Sequence, residues 1–217
     1  MKRQCKREAE QRPYTLKLGH LRADDWAYLE AGSCEFCGSE SQEQPRGLQH
    51  VAVLDWKLPI ARGNVARSCP LCWSMRNGRG VDEFRRKCDQ IASFNGPGKK
   101  AHYDESAARV DTLDPARVAR LTSQIRRRET DKCSESVDAE SVALAALAFP
   151  CWYCGGKSSG ADRLDSLRCP GYELANIVPC CEECNRMKHV MPRGVFLRHA
   201  ERVASRAQLP LQPAGPH

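Results

Sequence analysis

The sequence lacks three features that are typical of membrane and secreted proteins. No apolar run approaches the roughly 20 residues that a membrane-spanning helix needs. The basic start has no apolar core of a secretory signal, and Glu8 and Glu10 argue against a mitochondrial transit peptide. The cysteine count is odd, at 13, which argues against a closed disulfide framework. We therefore expect an intracellular protein with no membrane partner.

Basic residues are in surplus. Lys and Arg number 34 against 27 Asp and Glu, a formal net charge of +7. A surplus of this size suits a polyanionic partner such as nucleic acid. Because many soluble proteins are equally basic, the charge alone does not decide the function.

Eight of the 13 cysteines form four CxxC pairs. Two intervening residues let a tight turn aim both sulfurs at one ion, and two such turns complete a tetrahedral zinc site with Zn–S distances of about 2.3 Å. A site closed by four thiolates has no open position, so its role is structural. We expect two structural Zn²⁺ ions, although eight buried thiols without metal are the alternative. The expected ligands are Cys34, Cys37, Cys69 and Cys72 for one ion and Cys151, Cys154, Cys181 and Cys184 for the other.

The pairs belong to a tandem repeat. When Cys69-Pro-Leu-Cys72 is laid on Cys181-Glu-Glu-Cys184 without any gap, asparagine, methionine, basic and phenylalanine positions coincide as well. Asn64 falls on Asn176, and His50 falls on Asp162. Ser68 falls on Cys180, so Cys180 is not needed as a zinc ligand. Such self-similarity at a fixed offset indicates a duplicated structural unit.

The repeat predicts how the chain is divided. We expect a basic N-terminal segment at 1–21, a first zinc module at 22–94, a linker with a basic helix at 95–137, a second zinc module at 138–207 and a disordered tail at 208–217. Asp114 followed by Pro115 predicts the start of the linker helix, whose arginines either are solvated or contact nucleic acid. Further helices are predicted at 138–148 and 24–30. The 31 and 26 residues between the paired knuckles leave room for a β-hairpin in each module, followed by a helix.

Three runs of the second copy carry a family resemblance, and they occur in order. They are Cys151-Trp-Tyr-Cys-Gly, Ala161-Asp-Arg-Leu-Asp with Gly171-Tyr, and Asn176-Ile-Val-Pro-Cys-Cys-Glu-Glu-Cys-Asn-Arg-Met-Lys188. The copy resembles HNH endonucleases with a zinc-knuckle frame, as in phages, mobile introns and large DNA viruses. The resemblance covers roughly residues 140–205 and extends more weakly, by repetition, to 22–92.

This resemblance implies an α+β fold of two tandem treble-clef, ββα-metal zinc modules joined by a helical linker. It also implies a metal-dependent endonuclease that hydrolyses phosphodiester bonds of DNA, with one Mg²⁺ or Mn²⁺ at the second module. Asp162 resembles the acidic metal ligand, Asn176 the central asparagine that braces the loop, and Asn185 the closing metal ligand. Alternatively, Asn176 only caps a turn and Asn185 only caps a helix.

The second copy departs from the family at its general base. Arg163 stands where the family usually has histidine, and a guanidinium cannot accept a proton at physiological pH. Arg163 could instead grip a phosphate in a bidentate manner. Asp165 and His189 remain as candidate bases.

The first copy departs further. His50 stands at the position of Asp162, Val51 at that of Arg163, and Trp73 at that of Asn185. Trp73 either packs in the core or stacks on a base. The alternative to an endonuclease is therefore a catalytically inactive HNH-like zinc protein, which binds DNA or RNA or serves as an architectural subunit of a nucleoprotein complex. DNA is favoured over RNA, and a zinc-dependent protein-interaction module has no specific support.

Overall fold

The computed structural model describes residues 21–30, 32–40, 50–55, 57–96, 113–129, 138–167, 172, 174–209 and 211. The chain divides into two compact units, Met1–Glu83 with Arg206–His217 and Phe84–Ser205. The described residues contain seven helices and two two-stranded sheets, which confirms a mixed architecture of helices and small sheets. The predicted segment 1–21 lies outside the described residues except for Leu21, as does the tail 208–217 except for residues 208, 209 and 211.

The first unit is built around one β-hairpin. Its elements are helix α1 (Ala23–Glu30), strand β1 (His50–Val53), strand β2 (Val65–Ser68) and helix α2 (Pro70–Arg76). The two strands are antiparallel, and a short 3₁₀ turn, Arg62–Asn64, leads into the second. Leu21, Leu29 and Val65 form a small buried core under the hairpin. Helix α1 confirms the helix predicted at 24–30.

Helix α3 (Val81–Asn95) follows the first hairpin in the chain. Phe84, Cys88 and Ile91 recur at the spacing of one helical face and are fully buried. The predicted module boundaries follow the repeat and place this helix in module 22–94. From Phe84 onward, however, the helix belongs to the second compact unit.

The second unit contains a longer helical pair and a second hairpin. Its remaining elements are helix α4 (Pro115–Glu129), helix α5 (Ala139–Ala148), strand β3 (Gly160–Arg163), strand β4 (Ile177–Cys180), helix α6 (Glu182–Lys188) and helix α7 (Arg193–Ser205). Helices α4 and α5 begin at the predicted positions. Asp114 caps α4 as predicted by accepting a hydrogen bond from the Ala116 amide, and Asp138 caps α5 by accepting from the Glu140 amide. Leu121, Ile125 and Val142 pack with Ala161 of the hairpin to form one buried cluster.

The repeat appears as the same order of elements in both copies. Each has a cysteine knuckle, an antiparallel hairpin, a 3₁₀ turn that ends in asparagine, and a short helix directly after a cysteine. The sulfurs of Cys69 and Cys181 accept hydrogen bonds from the amides of Cys72 and Cys184, so each cysteine caps its own helix. The predicted hairpins and their following helices are thus confirmed.

Candidate metal centres

The second group of four cysteines has the geometry of a tetrahedral zinc site. The sulfur atoms of Cys151, Cys154, Cys181 and Cys184 all lie within 4.8 Å of one another. The Cys154 and Cys181 sulfurs are 3.8 Å apart. Four sulfurs placed about 2.3 Å from one ion lie about 3.8 Å from each other, whereas a disulfide brings two sulfurs to about 2.05 Å. These four residues can therefore hold a zinc ion.

The first group has the same geometry. Cys34, Cys37, Cys69 and Cys72 are buried, and their sulfurs also lie within 4.8 Å of one another. The Cys37 and Cys69 sulfurs are 3.6 Å apart, and none of the four forms a disulfide. Both predicted ligand sets are therefore brought together. Since each set is closed by four sulfurs, a bound zinc would hold the knuckle to the hairpin and would supply no reactive position.

The knuckle turns aim the first two sulfurs of each set. The amide of Gly38 donates to the Cys34 carbonyl and that of Gly155 to the Cys151 carbonyl, both at 2.8 Å. The two glycines have φ angles of +73° and +69°, a backbone region that residues other than glycine rarely adopt. The glycine that follows each leading CxxC pair therefore has a structural reason.

Cys180 lies beside the second site without belonging to its four ligands. Its sulfur donates to the Cys181 carbonyl at 3.2 Å, as the Ser68 hydroxyl donates to the Cys69 carbonyl at 3.3 Å. Hydrogen bonds from Cys154 and Cys180 lower the pKa of Cys151 to about 3. Hydrogen bonds with the sulfurs of the same site raise the pKa of Cys184, so the four thiols do not share one direction of shift.

Asp162 lies in a buried polar trio. Its Oδ2 atom accepts a hydrogen bond from the Tyr153 hydroxyl at 2.6 Å and lies 3.1 Å from the Lys188 ammonium. Burial raises the pKa of Asp162, and the charge of Lys188 opposes that shift. Lys188 is fully buried and also donates to the Arg163 carbonyl at 2.7 Å. The carboxylate predicted as a metal ligand is therefore already neutralised from inside the module.

The strand register corrects the predicted counterpart of Asp162. Asp162 pairs with Val178 in the second hairpin, and Ala52 pairs with Ala66 in the first. Val178 and Ala66 are equivalent in the repeat, since each stands three positions before the first cysteine of its second CxxC pair. Ala52, and not His50, therefore occupies the position of Asp162. His50 instead corresponds to Gly160, because the loop between the two strands is two residues longer in the second copy.

The same register gives the trio a counterpart of different chemistry. Val53 takes the place of Arg163, so the predicted match with Val51 is wrong. Phe36 takes the place of Tyr153, and Arg76 takes that of Lys188. Arg76 lies over the Phe36 ring at 6.0 Å and donates to the Leu54 carbonyl at 3.3 Å. The first copy thus lacks both the carboxylate and the hydroxyl that meets it in the second copy.

Each central asparagine bonds to the backbone of one aspartate in the loop between the two strands, which agrees with the predicted role of bracing the loop. Asn64 accepts from the Asp55 amide at 2.8 Å and donates to the Asp55 carbonyl at 2.8 Å. Asn176 makes the same two contacts with Asp165, at 3.0 and 3.2 Å. Asp165 in turn caps its own loop by accepting from the Leu167 amide at 3.0 Å. The backbone of Asp165 is therefore held in this turn, and its role as a base stays a prediction.

The remaining predicted residues lie nearer the surface. The Arg163 guanidinium lies 5.4 Å from the Tyr172 ring centre, and Asn185 is half-buried on helix α6. His189 is exposed and ends that helix with a positive φ of 51°. Their catalytic roles stay predictions. Trp73 is 41% exposed, which contradicts the alternative that it packs in the core, and its stacking on a base stays a prediction.

Sequence reasoning missed the two partners of Asp162. Tyr153 lies between the zinc ligands Cys151 and Cys154, and Lys188 ends the Asn-Arg-Met-Lys run after Cys184. Both residues were counted as parts of those motifs, with no role of their own. The signal was the repeat itself, because Phe36 and Arg76 stand at the equivalent positions. A hydroxyl that is present only in the copy with the aspartate indicates that the two groups pair.

Among the described residues no helix is both long and apolar enough to span a bilayer. Comparison of the chain with models of protein families, with curated proteins and with solved structures finds no match.

Proposed function

We propose that the chain is a nucleic-acid-binding protein built on two structural zinc modules, and that its HNH-like second module does not hydrolyse phosphodiester bonds. In this proposal both modules are treble-clef, ββα-metal frames related to HNH endonucleases. The observation that carries the loss of catalysis is the burial of Asp162 against Tyr153 and Lys188. The arginines on the surface of the second unit support binding.

A Mg²⁺ or Mn²⁺ ion has little room to act at Asp162. Mg²⁺ usually keeps several waters when it binds a carboxylate, whereas Asp162 is only 6% exposed and already contacts Tyr153 and Lys188. The Lys188 ammonium, 3.1 Å from Oδ2, would repel a second cation at the same oxygen. Arg163 supplies no general base beside it. The second module therefore keeps the residues that hold its fold, whereas its buried Asp162 is poorly suited to metal-dependent hydrolysis.

Two arginines of the second unit are stacked on aromatic rings. The Arg193 guanidinium lies 4.1 Å from the Trp152 ring centre, and Arg163 lies over Tyr172. Arg163, Arg193 and Trp152 are half-exposed. Stacking holds a guanidinium flat while its edge donors can still meet phosphate oxygens. Such a pair is a preorganised contact for a nucleic-acid backbone.

Helix α4 adds a basic face. Leu121 and Ile125 point into the core, whereas Arg120 and Arg127 lie two turns apart on the exposed side. Arg117, on the same side, donates to the Ser158 carbonyl at 3.1 Å and so ties the helix to the second zinc knuckle region. Like charges on one face of a packed helix favour a polyanion.

Binding and cleavage are tested with the same purified, zinc-loaded chain. Fluorescence anisotropy with labelled duplex DNA, single-stranded DNA and RNA should show binding that weakens as salt rises. Arg193→Gln should weaken binding and reduce the salt slope by about 1, as expected for one lost phosphate contact. Arg186→Gln is the matched control, since Arg186 is exposed on the same module but already paired with Glu182. It should change binding much less.

The cleavage arm uses plasmid and single-stranded substrates with Mg²⁺, Mn²⁺ or EDTA. We expect no metal-dependent products. Cleavage that requires Mg²⁺ and disappears in Asn185→Ala, with both zinc ions retained, would overturn the proposal in favour of the endonuclease. Absence of binding to all three probes at low salt would overturn the binding function.

A further inference from the structure

Helix α3 lies across the second zinc knuckle. The Lys87 ammonium is 3.4 Å from the Cys154 sulfur, and Gln90 donates to the Cys154 carbonyl at 3.2 Å. One turn further on, Asn95 donates to the Tyr153 carbonyl at 2.6 Å, and the Phe94 ring covers Gly155. All these residues belong to the second compact unit, although the helix follows the first knuckle in the chain. A ligand of one zinc site is thus contacted by a helix of the other repeat.

Lys87 is held in place for this contact. Its side chain is only 9% exposed, and its ammonium lies 2.8 Å from a Glu183 carboxylate oxygen and 3.2 Å from the Gln90 amide oxygen. The ammonium therefore has fixed acceptors on two sides, with the Cys154 sulfur as a third. Lysine has three donors, so this set uses all of them.

Four thiolates around Zn²⁺ leave the centre with a net charge of about −2. That charge is costly in a buried setting unless donors or cations face the sulfurs. A charge-assisted hydrogen bond withdraws electron density from a thiolate and makes it a poorer target for protons and electrophiles. Loss of such outer partners typically lowers metal affinity by about 10- to 100-fold.

We infer that Lys87 is a positioning residue of the second zinc site, which retains zinc by neutralising the Cys154 thiolate. The helix after the first knuckle thereby governs how long the second site keeps its metal. This inference rests on the zinc site and is independent of nucleic-acid binding.

The test compares zinc release from the full-length, two-zinc protein and its variants. A chromogenic chelator reports the rate, and mass spectrometry after alkylation reports which cysteines have lost their ion. Lys87→Met should release one of the two zinc ions about 10- to 100-fold faster, with Cys151, Cys154, Cys181 and Cys184 alkylated first. Lys87→Arg, which keeps the charge, should restore most of the retention. Gln90→Leu removes an uncharged contact to the same knuckle and should have a much smaller effect.

Two further measurements separate charge from packing. In the cobalt-substituted protein, Lys87→Met should shift the sulfur-to-cobalt charge-transfer band to lower energy, because the Cys154 thiolate gains electron density. Glu183→Gln keeps an amide oxygen that can accept from Lys87 but removes one negative charge beside the four thiolates, so it should retain zinc as well as the wild type or better. This variant also tests the idea if Lys87→Met does not fold.

Four results would overturn the inference. They are unchanged release in Lys87→Met, equal acceleration at both sites, an arginine variant as leaky as the methionine variant, or acceleration by Glu183→Gln to the level of Lys87→Met.

Discussion

At the scale of single residues, the trio of Tyr153, Asp162 and Lys188 decides how the second module is interpreted. A carboxylate and an ammonium that are both almost fully buried stabilise each other only while both are present. The first copy keeps a cation at the position of Lys188 but has Ala52 in place of the carboxylate. Its Arg76 donates to the backbone carbonyls of Arg79 and Leu54 instead.

Asp162→Asn should therefore destabilise the protein strongly. The change leaves the Lys188 ammonium buried without its countercharge, which typically costs about 3–5 kcal/mol of unfolding free energy. Chemical denaturation of the zinc-loaded protein measures the change. Tyr153→Phe removes only one hydrogen bond and should cost about 1–3 kcal/mol. Stability of Asp162→Asn within about 0.5 kcal/mol of the wild type would mean that the carboxylate does not neutralise Lys188.

The sequence predicted the residues that act locally better than those that act across the hairpin. Asn64 and Asn176 bond to an aspartate 9 or 11 positions upstream, so their brace is visible in the motif. The counterpart of Asp162 was misplaced, because a single offset cannot register a two-residue difference in loop length. Only strand pairing reveals which side chains share a position.

At the scale of elements, helix α3 packs closely on the knuckle turn at Gly155 in the second unit. Gly155 has a positive φ, and a Cβ atom built on it would lie 2.6 Å from the Phe94 ring. A similar close approach occurs in the first unit, where a Cβ atom built on Gly38 would lie 2.8 Å from the Arg206 guanidinium. Phe94 and Arg206 coincide at the same offset that lays Cys69 on Cys181, so the repeat places a side chain against each knuckle glycine.

Gly155→Ala should lower the thermal stability of the zinc-loaded protein. The left-handed φ alone costs about 1–2 kcal/mol for an L-residue, and Phe94 must also move. Gly156→Ala is the control, because its Cβ would lie in ordinary contact, 3.5 Å from the Cys154 sulfur. Thermal unfolding of both zinc-loaded variants makes the comparison. If Gly155→Ala were as stable as Gly156→Ala, the turn would not depend on its glycine.

The sequence predicted where the helices lie in the chain, but it did not predict which elements they pack against. Asp114 with Pro115 marked the start of α4 because capping is a local interaction. For α3, the spacing of Phe84, Cys88 and Ile91 predicts a buried face. That spacing does not specify which knuckle the helix meets, and Lys87 and Gln90 contact the second one.

At the scale of the whole molecule, we expect two zinc ions to stabilise the fold. Each cluster joins two CxxC pairs that are far apart in the chain, so a bound ion would tie distant segments of a small unit together. Metal binding would therefore supply much of the folding free energy of each unit. The number of sites was predictable because each CxxC pair is a local pattern that fixes two sulfurs. The repeat then assigns two such pairs to each copy.

Native mass spectrometry and elemental analysis of freshly prepared, folded protein test this claim most directly. We expect two zinc ions per chain, with loss of folded structure when a strong chelator removes them. Alkylation of the intact protein should spare the eight ligand cysteines until the zinc is removed. A folded chain that carries one zinc ion or none would contradict the account.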